Sequence, residues 1–256
     1  MKYVVMIKQV PDTMDIMVDA DGNLIRQGVP SILDPYCEYA LDMATDVKKS
    51  GDRIIAVTMG PDQSKDALLR CLELGADEAF LLTDRGFAGA DTYATSRTLV
   101  AFIKKFIPDY DLILCGKQAS DGDTAQVPAE VARMLCSQQF YYTEKLQIDG
   151  DMSAIQNYLD EIRVTRIPSG SVISVSKGHV NHRLPSISDM LSANKKQITV
   201  LNRVDLGLGA FSVGMKGSKT HIISSYSPRS NNSHIVMNGT DTLNVAEFLL
   251  KEVHHE

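Results

Sequence analysis

The chain has 256 residues, 44% of them hydrophobic, and a formal net charge of −6 with a pI near 5.5. That length suits one large α/β domain or a domain with an appendage, and that apolar content fills a full-sized core. The acidic balance argues against a nucleic-acid binder, which needs a basic face, and no segment approaches the ~18 continuous apolar residues of a membrane span.

Residues 2–8 read as an apolar strand, and residues 14–28 as a small hairpin around the turn signal Asp21-Gly22-Asn23. Pro35 opens a helix to about Lys49, with Ala40, Leu41, Met43, Ala44 and Val47 on one face. Ile54–Thr58 is a second buried strand, Ser64–Leu74 a helix closed by Gly75, and Ala79–Leu82 a third strand. Asp91 caps a helix that runs to Phe106, and Leu112–Cys115 is a fourth strand followed by a helix over Glu130–Leu135. Strands alternating with helices predict an α/β fold, a mostly parallel sheet flanked by helices with right-handed crossovers.

After about residue 138 the pattern changes. Glu144–Ile148, Ala154–Leu159, Glu161–Thr165 and Val172–Val175 read as short strands, with Asp149-Gly150-Asp151 as a hairpin turn. They are expected to add to the same sheet in antiparallel fashion. From about residue 190 the chain turns polar and irregular. The expected division is an α/β domain over residues 1–190 and a C-terminal arm over 191–256. The stretch Gly207–Ser233 is rich in Gly, Ser and Asn and too long for an ordinary surface loop, so it is either disordered or laid on a partner. An amphipathic helix follows from about Asn244 to Val253, with Val245, Phe248 and Leu249 on one face.

The four cysteines, Cys37, Cys71, Cys115 and Cys136, form no CxxC pair and fall inside predicted helices or at a strand end. They read as small hydrophobes and not as a disulfide framework or zinc site. The short apolar stretch Met1–Ile7 lacks a signal-peptide pattern, so a cytoplasmic protein is expected.

The chemistry concentrates in Gly116-Lys117-Gln118-Ala119-Ser120-Asp121-Gly122-Asp123-Thr124-Ala125-Gln126-Val127. This loop leaves a buried strand and enters a helix. Free backbone N–H groups and the helix dipole make such a junction an anion site. The same pattern also fits an ordinary strand-to-helix turn. Asp121 and Asp123 count against a phosphate unless they face away from it; they could cap helix N–H groups or accept bonds from ribose hydroxyls. The Asp121-Gly122-Asp123 start of a calcium loop fails, because the twelfth position of that loop falls on Ala132. There is no nucleophile elbow, HExxH or Walker A lysine loop, and His179 and His182 sit in a loop context, so neither catalytic residues nor a metal site is expected.

The Gly116–Val127 stretch closely resembles the nucleotide-binding motif of the electron-transfer flavoprotein β-subunit family. Further segments match in the same order: Val4–Thr13, Asp34-Pro35-Tyr36-Cys37-Glu38, Met59-Gly60-Pro61, Leu74–Ala79 and Arg183-Leu184-Pro185-Ser186. The likeness is good to about residue 200 and loose beyond. It implies a Rossmann-like, adenine-nucleotide-binding domain that forms a heterodimer with an α-subunit. In that family the β-subunit holds AMP or a second FAD, and the FAD-type, electron-bifurcating members accept a hydride from NADH. Electrons then pass through the α-subunit flavin to an acyl-CoA dehydrogenase-like or other flavin dehydrogenase. The chemistry is the cofactor's, which accords with the absent acid–base machinery.

The intact Asp121–Val127 motif and the segment Asp84–Thr92 resemble the FAD-type members, which implies FAD, with AMP as the alternative, and NADH as donor. Gly122 and Ala125 leave room for a pyrophosphate. Without the resemblance, Asp84–Thr92 reads as a loop capping the next helix. A competing reading is a free-standing nucleotide-binding regulator of the universal-stress type, a class that shares the parallel α/β sheet but lacks the long tail. The resemblance implies that Met6, Lys8, Asp34, Tyr36, Cys37 and Met59 surround the adenosine end. It adds Arg85, Phe87, Gly89, Ala90, Asp91, Thr92 and Thr95, with Arg85 on a phosphate and Phe87 stacked on a flavin or nicotinamide ring. From the loop it takes Gly116, Lys117, Gln118, Ala119, Asp121, Gly122, Asp123, Thr124, Ala125, Gln126 and Val127, through backbone N–H groups, the Thr124 hydroxyl and the Gln126 amide. The C-terminal arm is implied to wrap the α-subunit. Three departures stand out: Pro128-Ala129 where Gly-Pro is usual, Asp34 where Asn is usual, and Lys177–His182 where a Leu-rich docking loop is typical. The last points away from a standard acyl-CoA dehydrogenase as redox partner.

Overall fold

The structure is a computed structural model and describes residues 1–12, 30–176, 183–221, 223 and 242–253. The expected hairpin at 14–28, the loop Lys177–His182 with His179 and His182, and the stretch Ser225–Ser233 lie outside the described residues.

The chain opens with β1 (Lys2–Met6), then a small antiparallel pair of β2 (Gln9–Pro11) and β3 (Ser31–Leu33), and α1 (Pro35–Val47). Next come β4 (Arg53–Met59), α2 (Lys65–Glu73), β5 (Glu78–Leu82), α3 (Thr92–Phe106), β6 (Leu112–Gly116) and α4 (Val127–Leu135). A meander of β7 (Gln139–Asp149), β8 (Asp151–Tyr158) and β9 (Glu161–Arg166) precedes β10 (Ser171–Val175). The last elements are α5 (Ile187–Ala193), β11 (Ile198–Leu201), the single turn α6 (Gly214–Gly217) and α7 (Thr242–Val253).

One nine-stranded sheet runs in the order β11-β5-β4-β1-β6-β10-β7-β8-β9. Pairing is parallel from β11 through β7 and antiparallel from β7 to β9. Alternate residues of β1 feed two cores, as strand geometry requires. Tyr3 and Val5 pack with Leu41, Ala44 and Leu68 of α1 and α2 on one face. Val4 and Met6 pack with Leu99, Phe102 and Val131 of α3 and α4 on the other. Helices therefore cover both faces, as an all-parallel region needs.

From β1 the chain builds outward through β4 to β5, then returns to place β6 on the other side of β1. The carboxyl ends of β1 and β6 thus flank a point where strand order reverses. Connections leave there in opposite directions, and a crevice opens.

Two expectations need amending. Val172–Val175 was expected to add antiparallel, but β10 lies parallel between β6 and β7. All five of its residues are buried, the continuous run of a strand covered on both faces. The antiparallel reading holds for β7, β8 and β9, whose hairpin turns at Gly150 with φ +85°. The sheet also draws an edge strand, β11, from beyond residue 190, and α5 lies against α2. Among the described residues no helix is long and apolar enough to cross a membrane.

Candidate functional site

The crevice is organised by one close approach. Gly116 ends β6 directly against the first turn of α1. A Cβ there would lie 2.6 Å from Tyr36 Cβ, 2.8 Å from the Tyr36 carbonyl carbon and 3.1 Å from the Cys37 nitrogen. Asp34 caps α1, its carboxylate accepting the Tyr36 N–H at 2.9 Å. Its other oxygen accepts both the Ser120 N–H at 2.7 Å and the Ser120 hydroxyl at 2.8 Å. Asp34 is fully buried, so the charge expected beside the adenosine instead ties α1 to the loop that follows β6.

The loop's own carboxylates are also engaged. Lys8, just past β1, pairs with Asp121 at 2.5 Å, and the Gln118 side-chain amide donates to Asp123. The objection that two acidic residues would repel a phosphate is thereby weakened: one is neutralised, the other hydrogen-bonded. The Lys117 ammonium sits 5.0 Å from the centre of the Tyr36 ring, and its backbone N–H donates to Val175. Asp123 and Ala125 take left-handed backbone, φ +49° and +53°. For Ala125 that conformation costs about 1–2 kcal/mol, and the Tyr141 hydroxyl, donating to the Ala125 carbonyl, helps hold it. Nothing lies within 4 Å of the Cβ position of Gly122, which leaves open space beside the loop.

α4 begins at Val127, with Gln126 as an N-cap whose side chain makes no capping bond to the helix and Pro128 second in the helix. Pro128 removes an N–H that had no intrahelical acceptor in any case. The Val127 and Ala129 N–H groups remain at the positive end of the helix dipole. Thr92, at the start of α3, reaches this end: its hydroxyl lies 2.9 Å from Gln126 Oε1 and 3.0 Å from Glu130 Oε1, and donates its one proton to either. Ser96 donates to the other Glu130 oxygen at 2.8 Å. The two motifs met separately along the chain are joined here.

The remainder of the Asp84–Asp91 segment turns elsewhere. Arg85–Phe87 forms a 3-10 turn that folds Phe87 into the second core, where it is 6% exposed. Its ring is committed to protein packing, not presented for stacking. Arg85 stays exposed, and Gly89, at φ +69°, is pressed by Met215. Ala90 and Thr95 are half-buried. Met6 and Cys37 are buried near the crevice floor, Met59 is half-buried at the end of β4, and Ala119 is half-buried in the loop. Burial, reinforced by the Asp34 charge, pushes the Cys37 thiol up to about 12, so it remains a neutral packing group.

Asp91 caps α3 through Ala94 N–H at 2.8 Å and also accepts Lys219 N–H at 2.7 Å and Thr220 N–H at 2.9 Å. Burial opposes its charge, but these bonds outweigh that and hold its carboxyl down to about 2. The folded carboxyl lies below its usual 3.8, so its stabilisation is complete above that value and is lost as pH falls through about 2. Asp91→Ala should cost about 1–2 kcal/mol at neutral pH through the lost cap. Thermal melts of the two proteins should converge as pH falls towards about 2. A gap independent of pH would contradict this role.

The residues brought together are Met6, Lys8, Asp34, Tyr36, Cys37, Thr92 and the Gly116–Val127 loop. Phe87 and Gly89 pack against residues 203–217 instead, and Arg85 lines a cleft beside them. Ser120, Glu130, Ser96 and Tyr141 escaped the sequence reading, since each acts through a partner distant along the chain. A buried serine within a helix, such as Ser96, is the one local signal that was available.

The chain matches the family described as the electron transfer flavoprotein domain over residues 21–206. It is 39% identical to the electron transfer flavoprotein subunit beta of Thermoanaerobacterium thermosaccharolyticum, covering 93% of each chain. It is 38% identical to the caffeyl-CoA reductase-Etf complex subunit CarD of Acetobacterium woodii, covering 99% of each. Protein FixA of Azotobacter vinelandii is also 38% identical, over 99% of this chain and 94% of that one.

Proposed function

The chain belongs to the electron-transfer flavoprotein β-subunit family, and from that premise we propose that it binds FAD, accepts electrons from NADH and passes them through an α-subunit flavin. Its general role is electron transport. The observation that carries the finer reading is the loop at the β1/β6 crevice. Lys8 and Gln118 engage its carboxylates, while the α4 N-terminus keeps free N–H groups and Gly122 borders open space. Such a cradle suits a nucleotide phosphate. A flavin bound there supplies the hydride acceptance and electron release. The chain's own part is to bind and orient: Thr92 and Gln126 tie α3 to the loop, and Asp34 keeps the loop on α1.

FAD is favoured over AMP by the intact Asp121–Val127 motif and by the Asp84–Thr92 segment. The α-subunit reading draws on the names of the relatives and on α7, which leaves Leu243, Leu249 and Leu250 exposed. We assign to the part of the 191–256 arm beyond residue 221 the task of covering that face with an α-subunit, in a cytoplasmic heterodimer. One relative is named for a caffeyl-CoA reductase complex, which supports a flavin dehydrogenase or reductase as the final partner.

Stoichiometry tests the proposal. The denatured αβ complex should release about two flavins per heterodimer, and NADH should bleach the flavin absorbance of the native complex. One flavin with one AMP would replace this reading by an AMP-binding, non-bifurcating β-subunit.

A further inference from the structure

A cleft of about 320 Å³ lies between residues 84–88 and 203–216 and is lined by no residue of the Gly116–Val127 loop. Three cations line it, Arg85, Arg203 and Lys216, against one carboxylate, Asp84. That carboxylate is already engaged, accepting the Gly86 N–H at 2.7 Å and the Arg203 N–H at 3.2 Å. The Arg203 guanidinium is anchored by donating to the Leu208 carbonyl at 3.0 Å. Lys216 stands 5.2 Å from the centre of the Phe211 ring, and Arg85 has no side-chain partner among the described residues.

The walls are held in place by backbone. The Met215 N–H donates to the Ala88 carbonyl at 3.0 Å. Gly214, at φ +56°, approaches so closely that a Cβ would lie 2.0 Å from the Gly86 oxygen. Asp91, from the same segment, fastens Lys219 and Thr220 just beyond. A preformed cleft with excess positive charge and an apolar wall at Val213 and Met215 suits a phosphate-bearing ligand with a flat or sugar moiety. Its volume is at the small end for ligand sites, enough for part of a dinucleotide.

We propose that this cleft is a second anion site that takes the diphosphate of a dinucleotide. The identity of that dinucleotide as the NADH donor rests on the function proposed above; the anion site itself does not.

The test uses the αβ complex with its bound nucleotide, comparing wild type, Lys216→Glu and Lys216→Arg. Lys216 is exposed, so both variants should fold and keep their nucleotide. Lys216→Glu should raise the NADH concentration for half-maximal flavin reduction by about tenfold or more, and Lys216→Arg should restore it. Reduction by reduced nicotinamide mononucleotide, which has no diphosphate, should be equal in all three. Calorimetric titration with inorganic pyrophosphate should show binding to wild type that Lys216→Glu loses. If the complex holds AMP and NADH does not reduce it, the proposed function fails, and the pyrophosphate titration alone decides the site. Equal pyrophosphate binding in wild type and Lys216→Glu, or none in wild type, overturns the site.

Discussion

Gly116→Ala is expected to destabilise the protein by about 1–3 kcal/mol and to strip it of its nucleotide. The new methyl would fall 2.6 Å from Tyr36 Cβ and 2.8 Å from the Tyr36 carbonyl carbon. The far end of a flexible side chain could swing aside, but these are the backbone and first side-chain carbon of a helix start. α1 itself would have to retreat from the end of β6. That retreat would pull Asp34 away from Ser120 and so loosen the loop on which the proposed nucleotide rests. Urea unfolding reports the stability, and the ultraviolet absorbance of acid-released nucleotide reports the content. A variant as stable as wild type, with full nucleotide, would mean that α1 does not press on β6 as the structure has it.

Asp34→Ala should cost about 2–3 kcal/mol. The lost N-cap accounts for roughly 1 kcal/mol, and the stranded Ser120 N–H and hydroxyl for about 1–3 kcal/mol between them. Asp34 is fully buried but Ser120 is exposed, so solvent replaces part of what Ser120 loses and keeps its share below the top of that range. Asp34→Asn separates the two contributions. One amide oxygen can still accept, but the amide NH₂ turned towards the Ser120 N–H would set donor against donor. Its loss should therefore fall between wild type and Asp34→Ala. The decisive measurement is the urea midpoint of all three with an unchanged m-value. If asparagine proved as stable as wild type, the Ser120 link would carry no weight.

Much of this was legible along the chain, because its signals are local. The alternation of apolar runs with helical faces placed α1 to α4 and β1, β4, β5 and β6 within a few residues. Asp91 reads as a cap and is one, since a cap needs only the next three residues. Gly116–Val127 reads as a strand–loop–helix junction and lies at the reversal of strand order.

What the tertiary structure alone decided are the choices among distant partners. β10 is buried along its whole length, but its slot between β6 and β7 depends on segments tens of residues away, which no local pattern encodes. β11 is shorter still and closes the far edge of the sheet from within a stretch whose polar composition suggested an arm. Phe87 is an aromatic residue in a polar segment and invited a ligand-stacking role. The 3-10 turn at Arg85–Phe87 directs it into the core. The carboxylates make the same point. Sequence supplied Asp34, Asp121 and Asp123 as three negative charges around a proposed phosphate site. Only folding brought Ser120, Lys8 and Gln118 within reach of them, and hydrogen bonding and charge pairing across those contacts turn apparent repulsion into a scaffold.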